Sequence, residues 1–106
     1  MFGERNVNLQ LSERAREFIE RYKAVSGLRA PILGLAWGRF SEEPEERWSI
    51  GFYERKDVRE GWLGITPEFE FVVIQEWILD AVQNRVMDID GDKGIVTFDP
   101  PVQVEA

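Results

Sequence analysis

"TPEFEFVVIQEWILDAVQNR", residues 66–85, is the stretch whose reading decides the fold. Two readings fit it. Thr66 as N-cap, with Pro67 in the first helical position, would open a single helix over 68–83. Yet "FEFVVI" (69–74) is β-branched and aromatic, with Phe69, Phe71 and Val73 in step at a period of two. That pattern places a strand at 69–74 and a short helix from about Gln75 to Val82, closed by Asn84. We adopt the strand-plus-helix reading and keep the single helix as its alternative.

Working outward, "RVMDID" (85–90) and "GIVTFD" (94–99) read as two strands joined at Gly91–Gly94. Upstream, "GWLGI" (61–65) is a further apolar run, preceded by the charged connection "RKDVRE". "PILGLAWG" (31–38) puts Leu33, Leu35 and Trp37 on one face and the smaller Gly34 and Ala36 on the other. "RWSIGFYE" (47–54) does the same with Trp48, Ile50 and Phe52, and the proline- and charge-rich "RFSEEPEE" between them is a loop. At the start, "NVNLQL" (6–11) alternates and reads as one short strand with Val7, Leu9 and Leu11 on one side. Ser12 is then a good N-cap, and Ala15, Phe18, Ile19, Tyr22 and Val25 form a single helical stripe that Gly27 ends.

The composition excludes whole classes of function. A chain of 106 residues forms one domain, spanning 1–106, whose core buries about two-thirds of the unfolded surface. The net charge of −7 repels phosphate backbones and anionic lipid headgroups, so neither nucleic acid nor membrane is an expected partner. Cysteine and histidine are both missing. Thiol nucleophiles, imidazole bases and the usual ligands of zinc and iron–sulfur clusters are therefore ruled out, which leaves only oxygen ligands for a hard cation. The first residues contain no continuous apolar run of the signal-peptide type, and Phe71 to Ile74 is far too short to span a bilayer. A cytoplasmic location is the expectation.

"MDIDGDKGIVTF" (87–98) invites a calcium-loop reading. Asp88, Asp90 and Asp92 match its first, third and fifth positions, Ile95 its eighth and Asp99 its twelfth. Two departures oppose it. Lys93 stands where a glycine should permit the sharp turn, and "IVTFDPP" cannot be the exit helix. The hairpin reading accounts for every residue: "DG" flanked by alternating apolar positions signals a tight turn, with positive φ at Gly91 and Gly94. We keep Asp88, Asp90 and Asp92 as the runner-up metal site.

A catalytic carboxylate pair is the other chemistry that acids alone could supply. Glu42, Glu43, Glu45 and Glu46, however, share one solvated loop, and sequence pairing among twenty acids carries no weight. The aromatics are more informative. Trp48, Phe52 and Phe18 read as core. Trp37, Arg39 and Phe40 lead into the acidic loop, with Trp62 beside Gly61 and Gly64 as an outlier. Tryptophan and arginine at a loop are enriched in protein–protein hot spots, so these four are the candidate partner-binding residues.

Taken in order, the elements resemble the HesB/IscA-like family, the A-type iron–sulfur carriers. "VNLQLSERAREFIERY" looks like that family's first strand and helix, and "PILGLAWG" with "RWSIGFYE" like its central hairpin. "FEFVVIQEWILDAVQNRVMDIDGDKGIVTFDPP" looks like its closing pattern. The resemblance covers about residues 6–101. It implies a β-rich α+β single domain, with an N-terminal helix packed on the sheets and a C-terminal β-hairpin, and a self-associating surface. It also favours the strand-plus-helix reading of 68–83. The family's cluster-binding cysteines sit after the second strand and near the C-terminus. Here those regions read "WGRFSEE" and "PPVQVEA", so no ligand carries over and no cofactor is expected. The combined expectation is a non-catalytic module that binds another protein or itself, a homodimer included. A small acidic enzyme or calcium-type metal binder is the alternative.

Overall fold

A computed structural model describes residues 2–39 and 45–104. Two sheets form a mixed α+β fold. The larger has the order β1-β5-β6-β3-β4, from β1 (Phe2–Asn6), β3 (Pro31–Gly38), β4 (Arg47–Glu54), β5 (Gly61–Ile65) and β6 (Glu70–Val73). The smaller has the order β2-β7-β8, from β2 (Leu9–Leu11), β7 (Arg85–Asp90) and β8 (Ile95–Asp99). In the larger sheet β1/β5 and β6/β3 run parallel, whereas β5/β6 and β3/β4 run antiparallel.

The deciding stretch forms a strand and a short helix. Thr66 does not cap a helix. Its Oγ1 accepts from the amides of Glu68 and Phe69 and donates to the Phe69 carbonyl, which closes a tight turn before β6. Phe71 and Val73 are buried on the inner face and Val72 on the outer. Burial on both sides explains why a β-branched run without polar alternation belongs here. Helix α2 spans Trp77–Ala81, buries Ile78 and Leu79, and gives way to Asn84 in the left-handed region at φ 60°.

"NVNLQL" is the main departure. The expected single strand is two. β1 pairs with β5, the amide of Val7 still donates to the Ile65 carbonyl, and the chain then crosses to pair β2 with β7. Val7, Leu9 and Leu11 are all buried, as their alternation indicates. The change lies in the hydrogen-bond partner, which alternation does not encode.

Helix α1 (Glu13–Val25) starts where expected, with Ser12 Oγ accepting from the Ala15 amide, and Gly27 follows it at φ 73°. It packs on β7 and β2, and Ala15 and Ile19 enter the core. Phe18 and Tyr22 stack in turn toward Phe52, which ties the helix to β4, while Val25 is exposed. The main core lies between the sheets, from Leu33, Leu35 and Phe71 on one side to Met87, Ile89 and Phe98 on the other. A smaller cluster of Ile32, Leu63 and Val72 lies on the outer face of the larger sheet, beneath Val58 of the β4–β5 connection. The chain end is held by Arg85, whose guanidinium donates to the carbonyls of Ala81, Pro100 and Pro101.

Candidate functional site: the tryptophan end and the acidic hairpin

Alternation along β3 sends Leu33, Leu35 and Trp37 to the inner face, and cross-strand pairing sets Trp37 opposite Trp48. The two indoles meet edge to face at 5.1 Å. Trp48 also contacts Phe98 at 5.0 Å and Trp77, at the start of α2, at 5.9 Å. Gln75 pins this corner, since its Oε1 accepts from the Trp37 amide at 3.3 Å. Trp37 Nε1 donates to Glu46 Oε2 at 2.6 Å. Three of the four tryptophans thus gather at one end of the molecule, and Trp77 is the most open of them at 40% exposure.

Of the expected partner-binding residues, Trp37 is half-buried within this cluster and Arg39 is exposed just past the end of β3. Phe40 lies outside the described residues, as do Glu42 and Glu43. Trp62 is elsewhere. It sits on β5 with β6 between it and β3, joins none of these ring pairs, and lies over Gly3, where a Cβ would come within 2.5 Å of its ring. Trp48 and Trp77 complete the cluster without having been singled out as surface. Trp48 had a signal, because it mirrors Trp37 across the hairpin. Trp77 had none in the local sequence: β6 runs parallel to β3, and that pairing delivers the start of α2 to the top of β3.

The acidic hairpin is built differently from a cation loop. Arg14 on α1 forks onto Asp88, with Nε 2.8 Å from Oδ1 and Nη2 2.5 Å from Oδ2. Ser12 Oγ donates to the same Oδ1 at 2.6 Å. These bonds, Arg14 first and Ser12 second, hold the Asp88 carboxyl well below its ordinary range, at about 2, and the same contact raises the Arg14 guanidinium. Asp90 Oδ1 accepts from the amides of Asp92 and Lys93 and so caps the turn, while Asp92 is exposed. Among the described residues, no group of three or more acids is arranged to hold a metal ion. The carboxylates here fasten helix to hairpin.

One expectation about this turn is corrected. Gly94 has positive φ, at 68°, but Gly91 does not. Gly91 is needed for space, since a Cβ there would lie 2.8 Å from the Phe18 ring.

No family model, curated protein or solved structure matches this chain. No helix among the described residues is long and apolar enough to cross a membrane.

Proposed function

We propose that the protein is a non-catalytic binding module that acts by contact with another protein or with itself, through the tryptophan end. The observation that carries this reading is the convergence of Trp37, Trp48 and Trp77, with Trp77 accessible and Arg39 exposed alongside. Rings already packed against one another lose little freedom when a partner covers them, which favours tight contact per unit area. The kinship with A-type carriers belongs to the same proposal and rests on the order of elements, from first strand and helix to closing hairpin. The cytoplasm is the compartment this reading assumes.

The test is retention of proteins from a native extract on immobilised wild type, Trp37→Ala and Arg39→Ala. Specific loss of a retained protein from both variants supports the surface. Equal retention by all three would require a different one.

A further inference from the structure

The two sheets meet along two sides, and only one of these is joined by backbone hydrogen bonds. On the β1–β2 side the chain passes from one sheet to the other, with the Val7 amide donating to Ile65 and the Asn8 carbonyl accepting from the Asn84 amide. On the other side β4 is the last strand of the larger sheet and β8 the last of the smaller. They meet through side chains, Trp48 against Phe98 at 5.0 Å, and among the described residues no backbone hydrogen bond joins them.

Register tells which backbone groups face this seam. The Arg55 amide donates to Ala30, and the Trp37 amide turns away from β4 to Gln75. Every second pair counted from Ala30 and Arg55 therefore bonds across β3 and β4, Gly34 with Gly51 among them. Trp48, Ile50 and Phe52 are left to direct their N–H and C=O outward. On the smaller sheet the Ser12 amide donates to Met87, which turns Met87 toward β2 and Asp88 toward Thr97. Val96 and Phe98 then face outward from β8. Beside the Trp48–Phe98 contact lies a groove of about 520 Å³, walled by Ile50 and Phe52 of β4, by Ile89 and Val96 of the smaller sheet, and by Phe18 and Tyr22 of α1.

These walls select the occupant. Outward donors and acceptors recurring about every 6.8 Å along an edge are matched by an extended chain. A helix has already paired its own backbone groups and is about 10 Å wide. An edge strand of a second folded copy brings a sheet neighbour, which a groove walled on both sides excludes, so the entering chain has both edges free. Its inward side chains meet Ile50, Ile89 and Val96 and are therefore apolar. The alternate ones face water beside a chain of net −7, which favours lysine or arginine there.

We propose that this seam takes an extended peptide segment of a partner protein, apolar at alternate positions and basic between them, which hydrogen-bonds to the free edge of β4. The inference does not rest on the tryptophan end, and its probe is a synthetic peptide rather than an extract, so either can fail alone. An eight-residue peptide, as long as β4, with valine and lysine alternating, is titrated into the full chain while amide hydrogen exchange is read residue by residue. The outward amides of Ile50 and Phe52 should exchange about tenfold more slowly or better once peptide is bound. The Gly51 amide, already bonded to β3, should hardly change. The same peptide N-methylated at its valines should bind about tenfold more weakly or worse, because it cannot donate to the edge. Ile50→Pro removes one outward donor and should bind the parent peptide about fivefold more weakly than Ile50→Ala, which loses the same side chain but keeps the amide. Thermal melts show whether both variants fold, and the exchange measurement on wild type decides the matter if Ile50→Pro does not. Absence of saturable binding would overturn the proposal. So would slowing that spares Ile50 and Phe52, an N-methylated peptide that binds as well as its parent, or a folded Ile50→Pro that binds as well as Ile50→Ala.

Discussion

At Asp88 a single carboxylate joins the cap of α1 to the middle of β7. Ser12 Oγ accepts from the Ala15 amide while donating to Asp88, so the cap and the ion pair with Arg14 are one linked arrangement. The folded carboxyl titrates near 2 against an ordinary 3.8. The unfolded chain therefore takes up its proton first as pH falls. Stabilisation from this group is full above about pH 5 and is lost between about pH 4 and pH 2. Asp88→Asn should lower stability at neutral pH by about 1 kcal/mol, a figure discounted because Arg14 is largely exposed to solvent. It should also flatten the denaturant-midpoint profile across that acid window. A variant whose profile keeps the wild-type slope there would show that another carboxylate carries the dependence. The sequence offered Ser12 as a cap and Asp88 as a strand residue and runner-up metal ligand. It did not link them, because the two residues lie 76 apart and only the β2/β7 pairing brings them together.

The hairpin shows at the scale of an element why two glycines four positions from start to end of a turn need different explanations. Gly94→Ala meets backbone strain at positive φ, costing about 1 kcal/mol, and Gly94→Asn should recover much of it because asparagine tolerates that region. Gly91→Ala meets the Phe18 ring instead, so its cost should fall sharply when Phe18 is also shortened to leucine. Thermal melts of Gly94→Ala, Gly94→Asn, Gly91→Ala, Phe18→Leu and the Gly91→Ala/Phe18→Leu double variant decide this. A Gly91→Ala penalty indifferent to Phe18 would contradict the steric account. The local pattern made much of the architecture legible: α1 with its cap and stop, β3, β4, β5, the strand and short helix of 66–85, and the β7–β8 hairpin. It missed β1 and the crossing between sheets at residues 7–8. "FGERN" has no apolar alternation, and its pairing with β5 is specified almost sixty residues away.

For the whole molecule, the closing of two sheets over one core brings together what the sequence keeps apart. β3, β4 and α2 each deliver one tryptophan to the same end, and β8 supplies Phe98 beneath them. Trp37 was legible as a surface candidate from its place beside Arg39, whereas Trp77 depends wholly on the parallel pairing of β6 with β3. The same assembly commits Asp88 and Asp90 to Arg14, Ser12 and the turn amides. Calcium titration followed by thermal melting should therefore shift nothing, whereas a true site at a hundred times its dissociation constant would add about 2.7 kcal/mol. The binding reading is tested most directly by measuring how much of each retained protein survives on Trp77→Ala and on Trp62→Ala, compared with wild type. We expect Trp77→Ala to lose the partner and Trp62→Ala, two strands away, to keep it. Equal retention by both variants, or loss confined to Trp62→Ala, would contradict the account.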